Sequence, residues 1–140
     1  MAWVVDTCIL LDVILDDPLF AQPSVELLNG HLVESLVIAP ATYIELSPAF
    51  AGNRIKQDDF LTRRSIDFWE DWTREETREA HRLWHDYSAR RRSAGLARRP
   101  LADVLIAAFC LRRQGLLTRN ADDFRKIAPN LPIVDPTQLS

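Results

Sequence analysis

Short apolar runs alternate with amphipathic stretches along the whole chain. Four of these runs, at residues 3–5, 36–38, 116–118 and 132–134, contain no charged residue. Short uncharged runs between helical segments are typical of parallel strands that are buried on both faces. A further short or edge strand is predicted at residues 65–68. The pattern therefore predicts an α/β fold with a central, mostly parallel sheet of four or five short strands.

The helix with the clearest start follows residue 73. Thr73 and Glu76 have the spacing of a capping box, in which each side chain satisfies a free backbone N–H of the other residue. An apolar stripe with the spacing i, i+3, i+4, i+7 follows and predicts one face packed against the core. The stripe consists of Ala80, Leu83, Trp84 and Tyr87.

Two other helices are predicted from their boundaries and composition. A helix beginning near Leu101 is apolar nearly all round as far as residue 111, which is typical of a central buried helix. Gly115 is expected to be its left-handed C-terminal cap. Pro40 suits the start of another helix, and Pro48 is expected to end or kink it.

Composition indicates one domain covering residues 1–140. The hydrophobic fraction is 47% and the charged fraction 26%, which excludes intrinsic disorder. The net charge of −3 does not suggest a protein that coats nucleic acid through bulk positive charge. With two cysteines, no basic leader and no apolar run beyond residues 104–111, we expect a cytoplasmic protein without a membrane segment.

Acidic residues recur where the predicted strands end. Asp6 follows the first strand, Glu45 lies in the helix after the second, and Asp103 lies in the first turn of the apolar helix. Asp122 and Asp123 follow the third strand. Because ligands of open α/β sheets bind at the carboxyl ends of the strands, we expect these acids to converge at one edge.

Each acid alone has an ordinary explanation as a helix cap, as a charge that complements a helix dipole or, for Glu45, as part of a solvated helix face. Several acids facing one cleft would instead repel one another and raise each other's pKa. A divalent cation relieves that repulsion, and hard carboxylate oxygens suit Mg²⁺ or Mn²⁺ rather than zinc. Such sites usually serve phosphate chemistry.

Four short motifs carry a family resemblance. They are Val4-Val5-Asp6-Thr7, the Ala-Thr-Tyr-Ile-Glu-Leu run at 41–46, the Asp-Val-Leu-Ile-Ala-Ala run at 103–108, and the Leu-Thr-Arg-Asn-Ala-Asp-Asp-Phe run at 117–124. With these motifs the chain resembles the PIN domain family, and within it the VapC-type toxins of bacterial toxin–antitoxin pairs. The resemblance implies a three-layer α/β/α fold and an Mg²⁺- or Mn²⁺-dependent endoribonuclease. It also implies an RNA substrate, a small antitoxin partner and commonly a homodimer.

The resemblance assigns roles to individual residues. Asp6, Glu45 and Asp103 match the three most regular acidic ligands of the family and are the expected catalytic and metal-binding residues. Thr7 and Thr118 are expected to orient carboxylates or phosphate by hydrogen bonding, with simple capping of strand ends as the alternative.

The fourth acidic position is open. Many relatives carry an acid where this chain has Asn120, which leaves Asp123, or Asp122, to complete the cluster, with Asn120 in an orienting role. Cys8 departs from the Asn or Ser often found after the Asp-Thr pair. These two departures favour the alternative of a catalytically weak or inactive PIN-like domain that binds a partner or RNA.

Arginines near the predicted site are candidates for RNA binding. Arg119 follows the third strand, and residues 88–99 contain five arginines and no acid. Arg92, Arg98 and Arg99 of that segment are expected to contact the RNA backbone, with a solvated helix end as the alternative. Residues 49–71 match the family poorly and are a candidate insertion that faces substrate or partner.

Overall fold

The computed structural model describes residues 1–94 and 100–138. The five strands are β1 (Trp3–Val5), β2 (Leu36–Val37), β3 (Ile66–Asp67), β4 (Gly115–Leu117) and β5 (Ile133–Val134). The helices of the described residues are α1 (Thr7–Ile14), α2 (Ala21–Gly30), α3 (Pro40–Glu45), α4 (Arg54–Arg63), α5 (Arg74–Ala94), α6 (Leu101–Phe109) and α7 (Ala121–Ile127). Short 3₁₀ turns lie at Leu32–Glu34, Ser47–Phe50 and Cys110–Arg112.

The strands form one sheet in the order β3-β2-β1-β4-β5, and every pair is parallel. This confirms the predicted sheet, including the edge strand expected at residues 65–68. Strand β1 lies at the centre, where Val4 is in register with Val37 on one side and Leu116 on the other. The carboxyl ends of all five strands therefore meet at one edge.

The sheet separates two hydrophobic cores because alternate side chains of a strand point to opposite faces. Val4 and Leu116 belong to the core formed with α5, α6 and α7. Val5 and Leu117 belong to the core formed with α1, α2 and α4. The expected three-layer α/β/α architecture is confirmed.

Helix α5 begins with the predicted capping box. The Glu76 backbone N–H donates to the Thr73 hydroxyl at 3.3 Å, and the Thr73 N–H donates to Glu76 Oε2 at 3.2 Å. Glu76 is fully buried, and its other oxygen accepts hydrogen bonds of 2.9 Å from both Arg112 and Arg113. The cap therefore also joins α5 to the chain segment after α6.

Gly115 is not a helix cap, so that expectation is wrong. Helix α6 ends at Phe109, a 3₁₀ turn follows, and Gly115 is the first residue of β4. A methyl group on Gly115 would lie 2.5 Å from the Pro132 carbonyl oxygen and 2.8 Å from the Trp3 ring. Glycine is required there because β1, β4 and the segment before β5 approach so closely.

Residues 49–71 are an integral part of the fold. They contain α4 and the edge strand β3, and they place Leu61 and Ile66 in the core beneath the sheet. Pro48 lies in the 3₁₀ turn after α3, as its expected role in ending that helix requires. None of the helices in the described residues is long and apolar enough to cross a bilayer.

Candidate active site

Asp6 lies at the centre of the carboxyl edge of the sheet. Its backbone N–H donates to the Leu117 carbonyl at 2.9 Å, which extends the pairing of β1 with β4 by one residue. Its side chain caps α1 by accepting the Thr7 N–H at 2.8 Å. The residue is only 4% exposed, so the fold holds a carboxylate in a nearly closed position.

Two further donors reach the second carboxylate oxygen of Asp6. The Thr118 hydroxyl donates to Oδ2 at 2.7 Å, and the Cys8 thiol donates to the same oxygen at 3.1 Å. The Asn120 backbone N–H in turn donates to the Thr118 hydroxyl at 3.0 Å and fixes its direction. Cys8 therefore supplies a donor to the carboxylate through its thiol.

Glu45 joins Asp6 through Thr7. The Thr7 hydroxyl donates to Glu45 Oε1 at 2.7 Å and lies 3.1 Å from the Thr42 hydroxyl oxygen. Thr42 and Glu45 are three residues apart on α3, so both face the start of α1. Asp6 is buried and Glu45 is exposed, so the two linked carboxylates are accessible to solvent from the Glu45 side.

Burial raises the pKa of Asp6 above its usual value of 3.8. Hydrogen bonds from Thr118, Cys8 and the Thr7 N–H oppose this shift, while the negative charge of Glu45 adds to it. Burial, helped by the charge of Asp6, likewise raises the pKa of the Cys8 thiol, so Cys8 stays protonated as a donor. The pocket favours a proton or a cation at the Asp6 carboxylate.

Asp103 lies at the same edge of the sheet. Helix α6 leads through a 3₁₀ turn into β4, so its first turn, which contains Asp103, starts at the carboxyl ends of the parallel strands. The helix packs against α3, which carries Glu45. The Asp103 side chain is half-buried.

The acids after β4 are exposed. Asp122 is 82% exposed at its side chain and lies within 3.5 Å of Arg125 and 3.4 Å of Gln138. Asp123 is also exposed in the first turn of α7. Asn120 precedes α7 without a side-chain cap hydrogen bond. Within residues 1–94 and 100–138, no three acids, histidines or cysteines are grouped closely enough to hold a metal ion.

Arg119 pairs with an acid that the sequence reasoning missed. Its guanidinium donates to both oxygens of Asp12 on α1, at 2.8 and 3.0 Å, and lies 4.3 Å from the centre of the Phe20 ring. Asp12 is buried and also accepts from the Ser24 hydroxyl at 3.0 Å. The signal for Asp12 was an acid within the otherwise apolar run 8–14.

The basic segment is only partly described. Arg98 and Arg99 lie outside the described residues, and Arg92 lies in α5 where the side chains are not described. Arg90, from the same segment, donates to the carbonyls of Lys126 at 2.5 Å and Ile127 at 3.5 Å, at the C-terminus of α7. This arginine therefore has a structural partner.

Asp135 is a second buried acid that the sequence reasoning missed. It follows β5 as Asp6 follows β1, and it accepts from the Ala121 N–H at 3.2 Å and from the Thr137 hydroxyl at 2.6 Å. The acid directly after the apolar pair Ile133–Val134 was the available signal. Its contacts hold the start of α7 against β5.

Comparison with family models identifies the family. The model of the PIN domain matches residues 3–129, which is most of the chain. The chain therefore belongs to the PIN domain family. A comparison with curated protein sequences gives no match.

Solved structures share this fold. A chain of VapBC2 from Rickettsia felis, bound to a DNA fragment from the promoter, has a TM-score of 0.68 at 20% identity, with 96% of this chain and 98% of that chain covered. A chain of VapBC-1 from nontypeable Haemophilus influenzae has a TM-score of 0.70 at 19% identity, with coverage of 99% and 100%. A chain of FitAcB from Neisseria gonorrhoeae has a TM-score of 0.62 at 17% identity, with coverage of 99% and 100%.

Proposed function

We propose that this PIN domain is an Mg²⁺- or Mn²⁺-dependent endoribonuclease and the toxin of a VapBC-type toxin–antitoxin pair. The observation that carries the proposal is the environment of Asp6. A carboxylate with a raised pKa sits at the centre of the carboxyl edge, receives three side-chain and backbone donors, and faces a second carboxylate. A purely structural cap would need no second acid beside it.

The donor chemistry fits a hard divalent cation. The candidate ligands, Asp6, Glu45 and Asp103, offer only carboxylate oxygens, which Mg²⁺ and Mn²⁺ prefer. Asp6 and Glu45 are already linked through Thr7, and Asp103 starts from the same edge. In the described residues these three acids do not yet form a closed group of ligands, and a bound cation would draw on all three.

Each residue of the pocket then has a distinct task. Asp6 and Asp103 would hold the cation directly and Glu45 would complete the cluster, while the Thr7 and Thr118 hydroxyls orient the Glu45 and Asp6 carboxylates. The Cys8 thiol keeps Oδ2 of Asp6 in place by donating to it. A bound divalent cation polarises a phosphoryl oxygen and lowers the pKa of water, which is the chemistry that phosphodiester hydrolysis needs. The fourth ligand would be Asp123 or Asp122, both of which lie on the first turn of α7.

The proposed partners follow from the similar structures. VapBC2, VapBC-1 and FitAcB are two-component assemblies by name, and VapBC2 was crystallised on promoter DNA. We expect this chain to bind a small antitoxin in the same manner, to form a homodimer and to act on RNA in the cytoplasm. Arg119 is held by Asp12 and would reach an RNA phosphate only by leaving it.

A second candidate function has one specific observation in its favour. The acids after β4 are exposed, and Asn120 occupies the position where many relatives carry an acid. A PIN-like domain that binds RNA or a partner without cleaving it would tolerate that arrangement.

Cleavage of a single-stranded RNA with Mn²⁺ separates the two functions. Wild type is expected to cleave, and Asp6→Asn and Asp103→Asn are expected to lose activity at least about a hundredfold, since they change donors at the cation. Asp59→Asn is the matched control because it removes an exposed acid on α4 that forms an ion pair with Arg63 on the same helix. Binding of the RNA without cleavage by wild type would favour the second function.

A further inference from the structure

A cavity of about 570 Å³ opens beside α3, outside the acidic pocket. Tyr43 from α3, Arg54 and Asp58 from α4, and Phe68 and Trp69 from the segment after β3 line it. Because β1, β2 and β3 are parallel strands of one sheet, α3, which follows β2, and the segment after β3 start at the same edge of the sheet as Asp6, and so does this cavity. Tyr43 and Glu45 are two residues apart on α3, so that helix separates the cavity from the acids.

Three aromatic rings of the cavity pack in a row that runs from the interior to the surface. Tyr43 and Phe68 are 5.9 Å apart between ring centres and inclined by 16°, and Phe68 and Trp69 are 4.9 Å apart and inclined by 33°. The stack ends in Trp69, which is 77% exposed and so presents an open indole surface. An aromatic ring of a ligand could extend the stack there.

Hydrogen bonds fix the stack before any ligand arrives. The Tyr43 hydroxyl donates to Asp58 Oδ1 at 2.6 Å, and the Gln57 side chain donates to the Tyr43 carbonyl at 2.8 Å. The Trp69 backbone N–H donates to Asp67 Oδ1 at 2.8 Å and sets the turn after β3. The Tyr43 ring and the turn that carries Trp69 are therefore held before binding, which reduces the conformational entropy that is lost when a ligand binds.

Arg54 supplies a charge next to the rings. It is exposed at the start of α4 and, in the part of the chain that the structure describes, no ion pair or hydrogen bond holds its guanidinium. Arg63 and Arg82, in contrast, have acidic partners on their own helices. An open aromatic surface beside an unpaired guanidinium matches a nucleotide, which carries a flat base and an anionic phosphate.

We propose that this cavity is a subsite for one nucleotide of a single-stranded RNA, with the base stacked on Trp69 and a phosphate paired with Arg54. The inference rests on the proposed ribonuclease function, because it names where that function's substrate is held beside the acids. The subsite gives the RNA strand a fixed point on one side of α3, while the bond to be cleaved lies on the other side. Stacking on Trp69 requires a base but no particular base, so the subsite is not specific for a sequence.

Binding of a fluorescein-labelled single-stranded RNA oligonucleotide, measured by anisotropy in EDTA, tests the subsite without cleavage. Trp69→Ala is expected to weaken binding at least about fivefold, the range of one lost base stack, and Trp69→Phe to keep most of the affinity. Arg54→Ala is expected to weaken binding as well. Val33→Ala and Arg78→Ala are matched controls, because Val33 is 98% exposed before β2 and Arg78 lies on α5 beyond the opposite face of the sheet.

A second ligand identifies what Trp69 contacts. On an abasic ribose-phosphate oligomer of equal length, the effect of Trp69→Ala should disappear while that of Arg54→Ala persists. Unchanged RNA affinity in Trp69→Ala would overturn the subsite. So would an equal loss on the abasic oligomer, or a change in oligomeric state with RNA affinity intact, which would assign Trp69 and the exposed Ile55 to an interface between copies of this chain.

The test of the subsite and the test of the proposed nuclease function can fail independently. If RNA binding depends on Trp69 but Mn²⁺ produces no cleavage that Asp6→Asn abolishes, the nuclease proposal fails and the subsite stands. If cleavage depends on Asp6 while Trp69→Ala binds and cleaves like wild type, the subsite fails and the nuclease stands.

Discussion

The hydroxyl of Thr118 donates a 2.7 Å hydrogen bond to Oδ2 of Asp6, across 112 residues of sequence. The bond joins the residue after β4 to the residue after β1, which is possible because these two strands pair in parallel register. The bond is buried, and the Thr118 hydroxyl oxygen also accepts a hydrogen bond from the Asn120 N–H. The geometry of the acidic pocket therefore depends on the register of the central strands.

Thr118→Val tests how much this bond contributes to stability. The substitution keeps the shape of the side chain but removes the shorter of the two hydrogen bonds to Asp6 Oδ2, where the Cys8 thiol remains as a donor, and it leaves the Asn120 N–H without its partner. We expect a loss of about 1–3 kcal/mol in the free energy of unfolding at neutral pH, measured by urea denaturation. Thr118→Ser is the control, since it keeps the hydroxyl, and an equal loss in both variants would assign the effect to packing.

The raised pKa of Asp6 predicts a dependence of stability on pH. Because the folded-state pKa lies above the unfolded value, the carboxyl favours folding when protonated, and this contribution is lost as the pH rises through the folded-state pKa. In EDTA, Asp6→Asn should therefore be more stable than wild type at neutral pH. Each unit of pKa difference corresponds to about 1.4 kcal/mol.

The difference between Asp6→Asn and wild type should shrink as the pH is lowered towards 4, near the usual pKa of 3.8 for an aspartate. Urea unfolding of both proteins across this range measures it. An Asp6→Asn variant that is less stable than wild type at neutral pH would contradict the assignment of a strained, buried carboxylate.

The buried Glu76 predicts the opposite pH dependence. Burial opposes its ionisation, but hydrogen bonds from Arg112, Arg113 and the Thr73 N–H outweigh burial and hold its pKa below the usual 4.5. Its contribution to stability is therefore present above pH 4.5 and is lost as the pH falls through the lower folded-state pKa. Glu76→Gln should cost about 1–3 kcal/mol at neutral pH, since it removes the buried carboxylate that accepts from Arg112 and Arg113, while Arg113 keeps its ion pair with Glu70.

Glu75→Gln is the control for Glu76→Gln, because Glu75 lies in the same first turn of α5 but is exposed. It should change the free energy of unfolding by less than about 0.5 kcal/mol. In acid, the difference between wild type and Glu76→Gln should diminish. A constant difference down to pH 3 would contradict the lowered pKa of Glu76 in the folded protein.

The close packing of Pro132 and Trp3 against Gly115 predicts that adding one methyl group there destabilises the fold. Gly115→Ala would place that group 2.5 Å from the Pro132 carbonyl oxygen, so the backbone of β5 or β4 must shift. We expect a loss of about 2 kcal/mol or more in the free energy of unfolding. Gly30→Ala is the matched control, because a methyl group at Gly30 meets nothing within 4 Å and Gly30 lies in a helix. Equal stability of the two variants would contradict this packing.

Much of the fold follows from patterns within short segments. The uncharged runs predicted the strands, the capping box predicted the start of α5, and the alternation of strands with helices predicted the parallel sheet. These features depend on local spacing, which the sequence displays directly. Gly115 was misassigned because its role depends on Pro132 and Trp3, which are distant in sequence.

The candidate site is less accessible to sequence reasoning for the same reason. The direct link from Asp6 through Thr7 to Glu45 is a contact between two motifs that were already recognised. The pairing of Arg119 with Asp12, in contrast, spans 107 residues and depends on how α1 lies against the loop after β4. The roles of Asp122 and Asp123 depend on which face of the short helix α7 is buried, and a seven-residue helix gives little periodicity to read.

The central claim is that the Asp6 pocket binds a divalent cation, and the melting temperature with and without millimolar Mn²⁺ tests it most directly. Wild type should melt about 5 °C higher with Mn²⁺ in large excess over its dissociation constant. Asp6→Asn should lose this shift, and Asp59→Asn should keep it. An unaltered melting curve of wild type, or an equal shift in Asp6→Asn, would contradict the claim.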